Sequence, residues 1–356
     1  MAKEGSEKAA QAEYTMVLSL DGIRNRWPDQ PVYEPTMYIF GAWQLKQAIE
    51  KRSKDRIFVE VHPAGELGAQ TDAILKVQAG IVDCATASTQ NTAAAAPVWN
   101  VTDIPYSIGP VSNYWKIVYS KEVNDTLRKT SRELFKLMPL AIFPQLRWLE
   151  MGPGITEKIT KPEDIDGLKI RVTGSQLEQE SFAILPASPT PVAWTEVFTA
   201  LDEGAVDGIH VGTASVADAG LVEVLGQVID TTWMYNADTF FLGTHFFDSL
   251  PEDLQEAVME AAFDTQVWVH NTYEELFTKQ VGIRRDSPSD SIYKEAGVEF
   301  TYLTEQQRGA WEEMLGYENN KEIYDPIIER YGREEYETVV DVANSAGAAE
   351  QKRWWK

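Results

Sequence analysis

Apolar residues in the first ninety positions change period several times. Tyr14-Thr-Met-Val-Leu-Ser-Leu20 predicts a strand. Met37, Ile39, Phe40, Trp43, Leu45 and Ile49 recur at helical spacing, which predicts a helix over residues 35–51. Ile57-Phe-Val-Glu-Val61 predicts a second strand, residues 71–78 a helix closed by Ala79-Gly80, and residues 81–87 a third strand. Strand–helix–strand–helix–strand is the order of a parallel, right-handed α/β unit.

Residues 99–108 read as a loop and 112–137 as helix. Residues 140–143 and 146–149 read as extended pieces interrupted by Pro144. After about residue 145 the alternation starts again. Thr160-Lys-Pro-Glu163 reads as a capping box, 168–172 as a strand and 176–185 as a helix. Residues 190–192 are extended, 194–201 helical until near Gly204, and 206–211 a strand. This is a second α/β lobe. Ser249-Leu-Pro-Glu252 reads as another capping box, with Pro251 at the first helical position. Leu254, Val258, Ala261, Trp268, Leu276 and Phe277 then form one apolar stripe, so a long helix runs to about Gln280. Further helices are expected from Thr304 and from Glu322.

Composition narrows the functional classes. The chain has 356 residues, enough for two domains. No apolar run is long enough to span a membrane, and Met1 to Glu13 is polar rather than a secretory leader. A net charge of −23 argues against nucleic acid as a partner. The single cysteine, Cys84, allows no intrachain disulfide and reads as a small core residue. His62, His210, His245 and His270 lack metal-ligand spacing, so no metal and no cofactor is expected. No phosphate-binding glycine loop, nucleophile elbow or zinc-protease motif occurs.

Arg171 stands out. It lies between Ile170 and Val172 in the middle of a strand that should be buried. An unpaired buried charge costs several kcal/mol, roughly, so the guanidinium needs an anion, from the protein or from a ligand. Two α/β lobes with a cleft between them often house a small molecule, and a planar guanidinium matches a carboxylate bidentately. A non-enzymatic, carboxylate-binding cleft follows. The alternatives are a ligand-binding sensor component and an enzyme using cleft carboxylates.

Four segments resemble the DctP-type solute-binding proteins of TRAP (tripartite ATP-independent periplasmic) transporters. They are Gly65-Glu-Leu-Gly68 with its helix to Asp83, Thr160 to Val172, Pro189 to Phe198, and Ala200 to Gly208. The resemblance implies a periplasmic receptor, exported by a signal sequence, that hands a small organic anion to the membrane subunits of a transporter. It implies a monomer or a dimer with a periplasmic-binding-protein-like fold, two α/β lobes joined by crossing strands and a long hinge-spanning helix. The lobes would be residues 14–144 with about 231–250, and 145–230 with about 281–303. Residues 251–280 would be the hinge helix, and 304–356 C-terminal helices packing on the lobes.

The resemblance also assigns site residues. Arg171 matches the arginine that clamps the ligand carboxylate, and Arg147 stands where many members hold a second. Trp194 sits where an aromatic packs on the ligand, and Glu66 matches a turn position that sometimes reaches the cleft. Many members place an asparagine after the Val-Asp-Gly segment; here Ile209-His210-Val211 follows, so His210 is the nearest polar substitute. Asn236, on the second crossing segment, is the preferred amide contact. Each has a plainer reading: Arg147 in a structural salt bridge, Trp194 in the core, His210 structural, Glu66 beside a helix N-terminus.

Overall fold

A computed structural model of the chain describes residues 9–21 and 37–356. The first three strands are β1 (Tyr14–Ser19), β2 (Ile57–His62) and β3 (Cys84–Ser88). They are connected through α1 (Met37–Arg52) and α2 (Gln70–Gln78). The first two residues of the helix expected over 35–51 lie outside the described range. β1 pairs parallel with both β2 and β3, the arrangement that crossover helices permit. β3 begins later than its apolar run suggested. Gly80, at φ +72, ends α2, Ile81 is exposed, and the Asp83 carboxylate accepts the Val17 N–H at 2.8 Å.

The segment expected as a loop over 99–108 begins as a 3-10 turn, Pro97–Asp103, buried from Val98 onward. The helix expected over 112–137 is broken. α3 (Val111–Tyr119) stops at Ser120, whose hydroxyl accepts the Val123 N–H and starts a new turn. Helical pieces continue to Phe135, and Lys136, at φ +60, turns the chain into β4 (Leu137–Met151).

β4 runs without a break through Pro139 and Pro144, against expectation. Its residues up to Leu146 pair on one edge with β9 (Tyr235–Gly243). Pairing with β7 (Gly208–Gly212) starts only at Arg147. A proline ring tolerates a strand with one unpaired edge. The remaining strands are β5 (Lys169–Val172), β6 (Ser188–Pro191), β8 (Gln227–Ile229) and β10 (Glu299–Thr301). Among the described residues the order is β2-β1-β3-β9-β4-β7-β5-β6, with β10 on β8 and β8 on the end of β4. β4 thus belongs to both halves of a mixed α/β sheet.

Two capping expectations shift. At the 3-10 turn Pro162–Ile165 the reciprocal acid is Asp164, not Glu163; its carboxylate accepts the N–H of Thr160 (2.8 Å) and Lys161 (3.1 Å). Before the long helix there is no box. Ser249 donates to the Phe246 carbonyl, and Pro251 holds the N-cap position. α4 is Gln176–Ile184 and the long helix is α5, Glu252–Glu275, continued by a π-type turn to Val281. α5 packs on α1 and β4. α6 (Glu305–Leu315), α7 (Lys321–Tyr331) and α8 (Arg333–Asn344) complete the chain. α6 has a true capping box between Thr304 and Gln307. The tail packs on its own chain: Trp354 is buried, and Arg353 holds Glu260 of α5 through two 2.7 Å bonds.

Candidate functional site

The ends of β3 and β9 face the ends of β5 and β7 across a narrow cleft. The enclosed room between these walls is about 30 Å³, space for a water or two, so a larger guest needs the walls to part. Ser88, Asn236 and Asp238 line it from one side, and Arg171, Thr173 and Trp194 from the other.

Arg171 is 3% exposed. Register places it between Thr190 of β6 and Ile209 of β7, so the apolar flanks that predicted its burial are core-facing, Ile170 and Val172 both being buried. Its Nε donates to the Val192 carbonyl at 3.0 Å. Its guanidinium carbon stands 5.8 Å from the centre of the Trp194 ring, within cation–π range. Among the described residues its terminal nitrogens have no hydrogen-bond or ion-pair partner. Burial pushes its pKa down to about 10; the charge of Glu178 pulls it up and that of Arg147 pushes it down. A buried guanidinium with its fork unspent can take an anion in a bidentate pair.

Arg147 also lines the cleft, but each of its three guanidinium nitrogens is bonded within the protein. It pairs with Glu178 at 2.5 Å, both side chains being buried. It donates as well to the Gln90 side chain and the His210 carbonyl, and to His210 Nδ1 at 3.3 Å. Glu178 is held in turn by the Thr173 N–H at 2.6 Å. Nothing in the residue pattern points to Glu178: it lies in the first turn of α4, where an acid is ordinary.

His210 is wholly buried, behind the cleft rather than in its lining. It packs on Trp233 at 4.2 Å between ring centres and on Phe182 at 5.7 Å. Burial, then the charge of Arg147, holds its pKa well below the ordinary value. The imidazole is neutral and accepts from Arg147, so it replaces no lost carboxylate contact in the cleft; it props the arginine. The residues of β7 that line the cleft are Val211 and Gly212, at its C-terminal end, and His210 lies deeper along the strand. Gly212 is required there: a Cβ would stand 2.5 Å from Gln145 Oε1.

Asn236 is 3% exposed, lines the cleft, and has no partner for its Oδ1 among the described residues. Trp194 is half-buried in the lining. Glu66 stands apart: it is exposed, sits against His62 at 3.3 Å, and is not in the lining. The structure therefore brings together Arg171, Arg147, Trp194 and Asn236, places His210 behind them, and leaves Glu66 outside. Sequence reasoning missed Gln70, Asn91 and Gln145. Gln70 Oε1 accepts from the Ser88 N–H and from Asn91 Nδ2, both at 2.8 Å, which fixes that wall. Lone amides in loops and at helix starts carry no sequence signal for this.

A family model described as bacterial extracellular solute-binding protein, family 7 (DctP), matches residues 32–325. The chain belongs to this family. Among relatives of this family 7 protein is a solute-binding protein of Roseobacter denitrificans, 32% identical over 237 residues, 63% of this chain and 69% of that one. The ectoine-binding periplasmic protein of Halomonas elongata is 30% identical over 57% of this chain and 59% of its own. A solved structure of the Roseobacter protein, a TRAP periplasmic solute binding protein with bound L-galactonate, superposes with a TM-score of 0.72. It is 25% identical to the family 7 chain and covers 88% of it and 98% of its own length. A TRAP periplasmic solute binding protein from Ralstonia eutropha, 22% identical, gives a TM-score of 0.77 over 92% of this chain and 98% of that one, which speaks to the fold. Among the described residues no helix is long and apolar enough to cross a membrane.

Proposed function

We propose that this protein is the periplasmic receptor of a TRAP transporter and captures a small organic acid. The ligand carboxylate lies against the terminal nitrogens of Arg171, over the face of Trp194, with Asn236 supplying an amide contact. Closure of the two halves of the sheet about β4 and β9 completes the enclosure, and the loaded receptor delivers its cargo to the membrane subunits. The observation that carries this reading is the contrast between two buried arginines in one cleft: Arg147 is spent on Glu178, and Arg171 has no acidic partner among the described residues. The bound L-galactonate of one relative and the ectoine of another are both carboxylates, which supports the class. Arg147 then acts as a fixed positive neighbour, not the clamp. Binding is stoichiometric, without turnover.

A thermal-shift screen against organic acids tests this, since a ligand raises stability by RT ln(1 + [L]/Kd). At least one acid should raise the melting temperature, and Arg171→Ala should abolish the rise. Losing a buried, hydrogen-bonded charge partner costs about 2–5 kcal/mol, roughly thirtyfold to several thousandfold in affinity. Unchanged affinity in Arg171→Ala would remove the clamp.

A further inference from the structure

The wall opposite Arg171 has a chemistry of its own. Asn236 and Asp238 are two residues apart on β9, so both project from the face that lines the cleft. Both are buried, at 3% and 4% exposure. Gln145 is paired with Asn236 across β4 and β9, is 1% exposed, and has no partner for either end of its amide among the described residues. Asn236 Oδ1 is likewise unsatisfied. These groups point to ligand atoms that hydrogen-bond.

The three side chains differ in what they admit. An amide can present a donor or an acceptor, so Gln145 and Asn236 suit either kind of ligand group. An ionised carboxylate offers lone pairs alone. A second acid is near: Asp21, just past β1, is 6% exposed. Burial pushes its carboxyl up to about 7, and the charge of Asp238 adds to the shift. The cleft is therefore dipolar, with a cation on the β5 side and an acid on the β9 side.

We infer that Asp238 is a specificity residue: it selects monocarboxylates that carry hydrogen-bond donors away from the carboxylate, hydroxyls or a protonated nitrogen, and rejects dicarboxylates. This rests on Arg171 holding the carboxylate. With one end fixed there, the far end of the ligand meets Asp238. A donor group there gains a charge-assisted bond. A second carboxylate meets a like charge in a buried site, which discriminates strongly against the wrong partner.

The test is calorimetric titration of wild type, Asp238→Asn and Asp238→Ser with three kinds of acid. L-galactonate leads the hydroxylated monocarboxylates, ectoine the zwitterions, and succinate the dicarboxylates. Wild type should bind a member of the first or second group at least about a hundredfold more tightly than any dicarboxylate; which group wins identifies the donor. Asp238→Asn, of nearly the same size and able to donate, should shrink that ratio at least about tenfold. Asp238→Ser serves the same comparison if the asparagine variant does not fold. A wild-type protein that prefers a dicarboxylate, or a ratio that Asp238 variants leave unchanged while binding still depends on Arg171, overturns the inference alone. Binding of no acid in the panel overturns it together with the clamp.

Discussion

Two arginines within one cleft differ in what surrounds the guanidinium, not in burial. Arg147 is surrounded by Glu178, Gln90 and His210, all of the protein. Arg171 is surrounded by one backbone carbonyl, an indole face and the cleft. The apolar flanks of Arg171 made its burial legible in the sequence. The partner of Arg147 was not legible, because Glu178 is 31 residues away and meets it only when α4 docks. Asp103 is a similar case. It lies in the buried 3-10 turn, with Oδ1 accepting the Thr89 hydroxyl at 2.8 Å and Oδ2 without a partner. Burial pushes its carboxyl up to about 8, with the Thr89 hydrogen bond and the Arg147 charge pulling down. The folded state therefore keeps a proton that the unfolded chain releases near its ordinary value of 3.8. The resulting stability is full below that value and is lost as pH rises through 8. Asp103→Asn should flatten this part of the pH dependence: denaturant midpoints of wild type should fall against the variant's between pH 4 and 8. Parallel curves would mean that Asp103 is ionised in the native protein.

At the scale of elements, β4 shows how tertiary contacts override a local breaker. Its pairing with β9 slips between Pro139 and Ile142, and Ile142, back in register with Thr239, finds its backbone hydrogen-bond partners on α5. Gln266 of α5 supplies both: its Oε1 accepts the Ile142 N–H and its Nε2 donates to the Ile142 carbonyl, each at 2.8 Å. The apolar stripe expected for the long helix is buried at Leu254, Val258, Ala261 and, in the π-type turn beyond α5, Phe277, while Trp268 and Leu276 are half-buried. Gln266, wholly buried on the same helix, was invisible to an apolar pattern. Gln266→Leu keeps the volume but strands a buried donor and a buried acceptor. It should cost about 2–6 kcal/mol in urea unfolding, from roughly 1–3 kcal/mol for each of the two unsatisfied groups. A loss under half a kcal/mol, roughly the scale of a neutral surface change, would mean that solvent reaches the bulge.

For the whole molecule, the C-terminal tail fastens the end of the chain to its middle. Trp354 covers Arg128, whose guanidinium carbon lies 4.3 Å from the centre of the ring. Arg128 is itself buried, donates to the Val118 carbonyl at 2.9 Å, and has its pKa pushed down to about 9 by burial. Arg353 and Lys356 both reach Glu260 on α5. Trp354→Ala should destabilise the protein by about 3–5 kcal/mol, the usual cost of deleting a buried Trp, while ligand affinity is unchanged. A variant that melts like wild type would show the tail to be peripheral.

The amino-acid order by itself determined the alternation of strands and helices, the restart near residue 145, the long C-terminal helix and a buried arginine. These are properties of period and of single residues, which local sterics and burial dictate. Folding decided which arginine keeps a free fork, that His210 lies behind the cleft, that Glu66 lies outside it, and that Gln145 and Asp238 look into it. Each of those depends on residues far apart in the chain meeting in register, and no local pattern records which carboxylate or amide will arrive.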